Sequence, residues 1–197
     1  MSKHRFFTLA AVAATMLVAV PVQAQMTASE RPIRFGAMTG VSLPIGDFGD
    51  VANTGWHLTG FGEYRMDNFP ATLRGELGYH SFGGTRVSAG PFSSEASYSM
   101  IPITVSAIYV LPSETQRRFH LMGGHGLYRT SADVDYTDED GSFSFSNSST
   151  DFGINIGGGI NFPLGERIDA VAEARFHSIF TDGNSSNMIP ISIGLRF

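Results

Sequence analysis

The sequence predicts an all-β protein, an eight-stranded antiparallel up-and-down transmembrane β-barrel. Three observations lead there. Behind an apolar leader, hydrophobic residues alternate with period two through eight successive segments. Aromatic residues gather at the two ends of those segments. The composition is poor in charge, with 16% charged residues among 197, and rich in small and aromatic ones, with 23 Gly and 16 Phe. Soluble domains carry roughly 25% charge.

Composition also excludes. With no cysteine, a disulfide scaffold and a thiolate metal site are ruled out. A net charge of −5 repels nucleic-acid phosphate, so no nucleic-acid partner is expected. A hydrophobic content of 42% argues against a disordered chain, and the length suits one domain.

Residues 1–24 read as a cleaved signal peptide. Lys3, His4 and Arg5 form a positive start, Phe6 to Val20 is an apolar run, and Pro21 ends it. Val22-Gln23-Ala24 is the small-x-small pattern of a cleavage site, which places the cut before Gln25. The run is short for a membrane helix, which needs about 17–25 residues. The expected barrel domain is then 25–197. Lys3 is the only lysine, so the domain's permanent cations are all arginine. No other stretch is long and apolar enough for a spanning helix, which leaves a barrel as the way to span a membrane.

The segments follow in order. Arg34 to Leu43 sets Phe35, Ala37, Thr39, Val41 and Leu43 on one face. Trp56 to Arg65 does so with Trp56, Leu58 and Tyr64, and Ala71 to His80 with Leu73, Leu77 and Tyr79. Ser99 to Leu111 contributes Ile101, Ile103, Val105 and Tyr109, and Phe119 to Tyr128 contributes Phe119, Leu121 and Leu127. Asp151 to Phe162 carries Phe152, Ile154, Ile156 and Phe162, and Ile168 to Phe180 carries alanines with Phe176 and Phe180. Met188 to Phe197 closes the series with Ile189, Ile191, Ile193, Leu195 and Phe197. Each face is about ten residues long, the length of a tilted transmembrane strand. Phe61, Met122 and Val171 break the pattern on the polar face, and His125 breaks it on the apolar one.

A soluble barrel hides its apolar face, whereas a membrane barrel exposes it to lipid. The aromatics decide for lipid. If strands alternate up and down from Phe35, then Phe35, Tyr64, Tyr109, Phe119, Phe162 and Phe197 share one end. Trp56, Tyr79, Phe152 and Phe180 share the other. Two aromatic girdles bounding an aliphatic belt mark an outer-membrane barrel. The connections agree. Near-side turns (Met66–Pro70, Pro112–Arg118, Pro163–Arg167) are short. Far-side loops (Pro44–Gly55, Ser81–Tyr98, Thr130–Thr150, Thr181–Asn187) are mostly long and polar. Met100-Ile101-Pro102-Ile103 and Met188-Ile189-Pro190-Ile191 echo each other at the start of two descending strands.

On these residues the chain resembles the small eight-stranded outer-membrane barrel domains, the OmpA/OmpX-like class. The resemblance rests on the leader with eight amphipathic strands, the ending Ile189 to Phe197, and the run Glu173-Ala174-Arg175-Phe176-His177. It implies location in the cell outer membrane, contact with its lipid, and a terminal Phe197 that resembles the signal read by the barrel-assembly machinery. It departs from full-length OmpA-like proteins in showing no peptidoglycan-binding domain after the last strand. It says little about activity.

An eight-stranded barrel has an interior just wide enough for side chains. Arg34, Glu63, Arg65, Arg74, Glu76, Asp151, Glu173, Arg175 and Arg196 are expected to pair there, since buried charges need partners and arginine's fork serves best. A gated pore with rearranging pairs is the alternative. The histidines show no catalytic or metal spacing, although His80-Ser81 and His177-Ser178 are neighbours. No cofactor is expected. Asp133, Asp135, Asp138, Glu139 and Asp140 precede Gly141 in an acidic outer segment, without the spacing of a calcium loop. The expected role is structural or surface-interacting, through the outer loops and an unidentified surface ligand. A narrow solute pore and a lipid-modifying enzyme are the alternatives.

Overall fold

The computed structural model describes residues 32–66, 70–89, 92–112, 117–138 and 141–197. The expected signal peptide lies outside the described residues. Eight strands form one closed antiparallel barrel in sequence order. They are β1 (Ile33–Ile45), β2 (Ala52–Arg65), β3 (Ala71–Ala89), β4 (Phe92–Val110), β5 (Arg118–Asp138), β6 (Gly141–Pro163), β7 (Asp169–Thr181) and β8 (Asn184–Arg196). A five-residue helix, α1 (Asp47–Val51), joins β1 to β2. The seam closes by pairing β1 with β8, from Gly36 opposite Arg196 to Ile45 opposite Asn187. Closure satisfies the backbone within the lipid belt, the condition for a sheet to span a membrane.

Alternation decides which side chains meet lipid. Ile154, Ile156, Leu77, Ile103 and Ile193 are exposed, whereas Arg74, Glu63, Glu76 and Glu173 are buried. The barrel is thus apolar outside and polar inside. Trp56, at 53% exposure, lies 5.6 Å from Tyr79 in the outer girdle, and Phe152 stacks on Phe180 at 6.2 Å. In the inner girdle Phe35, Tyr64, Tyr109, Phe119 and Phe197 are exposed. Phe162 is half-buried, with the Arg117 guanidinium 5.9 Å from its ring. Two of the three polar-face exceptions fill a gap together: Phe61 and Val171 form a small apolar cluster with Met38, and the Arg74 guanidinium sits 4.4 Å above the Phe61 ring. The third, Met122, is buried as well.

Two expected loops are strands. Residues 81–98 belong mostly to β3 and β4, and residues 130–150 mostly to β5 and β6. The register of β5 with β6 runs unbroken from Arg118 opposite Asn161 to Asp138 opposite Gly141. Their Ser, Thr, Gly and Asn residues suit a ribbon wet on both faces, where backbone pairing needs no apolar stripe. The expected loop Thr181–Asn187 shrinks to a turn at Asp182-Gly183, with Gly183 at φ 89°. The barrel rim is therefore lopsided. β7 stops pairing with β6 at Phe180 opposite Phe152, while β3 to β6 continue outward as a wall.

The echo of Met-Ile-Pro-Ile extends further than β4 and β8. On β3, Glu76, His80 and Phe82 point inward; on β7, Glu173, His177 and Ile179 do so at the same spacing. Two hairpins thus present the same inward ladder from separate parts of the wall.

Candidate functional site

The interior is built in three layers. The lowest is ionic. Arg196 bonds Asp169 at 2.5 Å and Glu63 at 3.0 Å, and Arg34 reaches Asp169 at 2.9 Å. Arg74 is wholly buried and forks between Glu63, at 2.6 and 2.9 Å, and Glu173, at 2.7 and 2.9 Å. His120 Nε2 lies 3.1 Å from Glu173. Arg175 bonds both oxygens of Glu76, which also accepts from the Thr104 hydroxyl at 3.1 Å. Arg34, Arg74, Arg175 and Arg196 face Glu63, Glu76, Asp169 and Glu173, so the charges of the layer cancel. Glycine makes the room. A Cβ at Gly157 would lie 2.6 Å from Arg175 Cγ, and one at Gly159 2.6 Å from Glu173 Cγ.

The second layer is hydrogen-bonded and built from serine, histidine and tyrosine. Ser42 Oγ lies 3.0 Å from His57 Nδ1 and 2.8 Å from His80 Nδ1, and the two rings stack at 5.0 Å. His57 Nε2 meets Ser192 Oγ at 2.9 Å, and His177 Nδ1 meets the Tyr128 hydroxyl at 2.8 Å. One serine hydroxyl has a single proton, so at least one of the two imidazoles donates to it from Nδ1. His57, His80, His177, Glu76 and Arg175 surround a void of about 10 Å³, room for about one water.

The third layer is an apolar plug at the outer mouth. Phe48 from α1 packs with Ala52, Phe82, Met100, Tyr128, Ile179 and Met188. Phe48 meets Phe82 edge-on at 5.2 Å. Each echoed hairpin contributes in parallel: Met100 and Met188 to the plug, Pro102 and Pro190 to the wall of the void beneath it.

This arrangement corrects part of the expected charge network. Arg65 is exposed at the lower rim, one inward position below Glu63 and outside the closed layer. Asp151 is half-buried at the upper rim and accepts from the Ser149 hydroxyl at 2.6 Å instead of an arginine. Parity assigns a residue to a face but not to a height, and both sit at the ends of the barrel. Arg34 is at the lower rim too, but Asp169 holds it. Sequence reasoning misses Asp169 and the histidine layer. Asp169 lies on the inward parity of Glu173, Arg175 and His177, and following that parity down to the strand's first residue finds it.

No catalytic geometry emerges for lipid among the described residues. Ser42, His57 and Ser192 are in hydrogen-bond contact, but all are buried beneath the plug, out of reach of the bilayer. His80 and His177 point inward, and Ser81 and Ser178 take the opposite parity. Among the described residues no group of His, Asp or Glu is placed to hold a metal. Asp133 and Asp135 alternate on the outer face of an extended strand, a spacing that separates carboxylates. Glu139 and Asp140 lie outside the described residues.

Above the girdles stands the second feature, the wall. On β6, residues 141–151 pair with β5, and among the described residues no strand pairs with their other side. Phe143 and Phe145, 69% and 58% exposed, continue the inward-facing parity of Asn155 and Gly153. Phe145 stands opposite Val134 on β5. The other face of the ribbon carries exposed Asp133, Asp135, Ser144 and Ser146.

A family model described as the outer membrane protein beta-barrel domain matches residues 10–197. Among solved structures, Neisserial surface protein A is 17% identical with a TM-score of 0.61, over 84% of this chain and 96% of that one. A major outer membrane protein from Thermus thermophilus is 13% identical with a TM-score of 0.55, over 85% and 99%. Ail, the attachment invasion locus protein of Yersinia pestis, solved with the heparin analogue sucrose octasulfate, is 17% identical with a TM-score of 0.52, over 84% and 96%. A comparison with curated proteins finds no match. At these identities the likeness is one of fold.

Proposed function

This chain belongs to the outer membrane protein β-barrel domain family and resides in the outer membrane, and from that premise we propose that it is a non-enzymatic anchor that holds an adhesive β-wall above the cell surface. The observation that carries this reading is the edge of β6 over residues 141–151, left open among the described residues, beside exposed Phe143 and Phe145. A row of unpaired N–H and C=O groups recruits an extended segment of another chain by adding a strand. The acidic outer face favours a segment with basic residues on one side and apolar ones on the other. Ail was crystallised with a polyanion; the acidic residues Asp133 and Asp135 make a polyanion the wrong partner here.

The layered interior serves the anchor. A neutralised ionic layer below an apolar plug seals the barrel, which disfavours the pore reading. Planar-bilayer recording of the purified protein is expected to give no steady conductance. Residues 1–24 act as the exported chain's cleaved leader in this reading. Phe197, whose backbone exchanges hydrogen bonds with Phe35 across the seam at 2.8 and 3.4 Å, acts as the assembly signal for the barrel-assembly machinery.

The adhesive reading is tested with the folded protein in nanodiscs and a synthetic peptide alternating valine and arginine. Binding is expected to be lost when one edge of the peptide is N-methylated and when residues 131–149 are deleted. Equal binding by methylated and unmethylated peptide would sink the strand-addition reading.

A further inference from the structure

Between the two aromatic girdles, one ionisable side chain among the described residues points outward to lipid. The outward series on β5 runs Phe119, Leu121, Gly123, His125, Leu127 and Arg129. His125 is exposed, with Val105 of β4 and Ile154 of β6 directly beside it. The other described histidines, His57, His80, His120 and His177, are buried in the interior with hydrogen-bond partners. Among the described residues no side chain hydrogen-bonds the His125 ring, and its one ring contact is with Phe152, stacked at 5.8 Å and 30°. An imidazole carries at least one N–H donor in either protonation state. A polar group left unpaired in hydrocarbon is strongly unfavourable, and ionisable residues at such positions are functional by default.

Its height narrows the partner. Phe152 belongs to the outer girdle, and Leu127 stands opposite it. Arg129, four residues up the strand, is exposed and bonds Ser148 on the water side. With a strand rise of about 3.4 Å and a tilt of about 40°, His125 lies roughly 10 Å below Arg129. With the Arg129 guanidinium taken at the level of the headgroup phosphates, that depth corresponds to the linkages joining acyl chains to the headgroup. Ester and amide carbonyls are the acceptors available at that depth. A second copy of the chain fits poorly. The same outward face of β5 continues above as Arg129, Ser131, Asp133 and Asp135. Two copies meeting at His125 would oppose their acidic faces.

We propose that His125 is a lipid-binding residue whose ring N–H donates a hydrogen bond to an acyl-linkage carbonyl of an outer-leaflet lipid. Phe152 stacks on the ring and restricts its plane, while the ring stays exposed on the outward face. This contact holds one lipid of the annulus in place beside the base of the β5–β6 wall.

The experiment uses the folded protein in nanodiscs of ester-linked phosphatidylcholine and in matched discs of its ether-linked analogue, which lacks the carbonyls. Histidine ring nitrogens are labelled with ¹⁵N and the ester carbonyls with ¹³C, and His125→Phe assigns the signal. The expected result is dipolar dephasing of the His125 ring nitrogen by the lipid carbonyl. A change in its ring shift between ester and ether discs should follow, with the interior histidines unmoved. Absence of dephasing together with identical shifts in both discs would overturn the proposal. So would efficient disulfide dimerisation of a His125→Cys variant, which would make a second copy the occupant.

Discussion

β6 is built two ways along its length. From Phe152 to Asn161 it is paired on both sides and alternates Ile, Gly and Phe outward with Asn and Gly inward. From Gly141 to Asp151 it is paired on one side among the described residues, and serine dominates. The difference tracks the solvent. In lipid a free edge is intolerable, so the strand must find two neighbours. In water the same strand can leave its edge open, and in the adhesive reading that edge is what a partner strand would join. The membrane-spanning part is consequently held by long-range ion pairs and closure, and the outer part of β6 by its pairing with β5 alone among the described residues.

That contrast can be broken most severely from inside. Arg74→Met leaves Glu63 and Glu173 buried without their principal cation, and stability should fall by about 3–5 kcal/mol. Urea unfolding in lipid, with loss of the heat-modifiable gel shift, measures it; an unchanged midpoint would mean that the ionic layer does not hold the barrel. Phe48→Ala should cost less, toward the low end of the roughly 3–5 kcal/mol typical of buried Phe→Ala, because α1 is a short surface element free to settle. Bilayer recordings of this variant should stay silent, since the ionic layer still fills the bore below; steady conductance would transfer the seal to the plug. Arg65→Gln, on the same strand face as Glu63 but at the rim, should shift stability by no more than about 0.5 kcal/mol. A larger loss would put it back among the paired charges. Deletion of residues 131–149 should leave the barrel's thermal midpoint nearly unchanged, as read by circular dichroism. Collapse would mean that the wall and the cylinder are one cooperative unit.

The strands within the membrane are legible in the sequence because lipid on one side and packed polar groups on the other enforce strict alternation. Ile154, Ile156 and Phe152 against Asn155 and Asp151 is such a pattern. The same β6 is illegible above Asp151, where both faces meet water and only Phe143 and Phe145 keep a trace of the period. Face is therefore readable and height is not. Arg65 and Arg74 share a parity logic, yet one sits at the rim and the other at the centre. The plug is invisible for a different reason: Phe48 lies in a connection, and its inward turn depends on α1 and on Gly46 at φ 60°. The histidine layer does have a signal in the sequence, the repeated Glu-x-x-x-His of Glu76–His80 and Glu173–His177.

The ion pairs have an implication for how the molecule comes into being. Arg34 and Asp169 are 135 residues apart, Arg196 and Glu63 133, and Arg74 and Glu173 99. Nearer partners cover part of the layer, Glu63 lying 11 residues from Arg74 and Asp169 27 from Arg196, while the closest bonds of Glu173, Arg175 and Arg34 reach across 99 to 135 residues. A half-built sheet would carry bare carboxylates and guanidinium groups on the face that later becomes the core, and hydrocarbon would reject it. Dry insertion is thus open only to the finished ring. The expected order of events is wrap first and submerge second, with the last strand's Arg196 among the groups that complete the paired core.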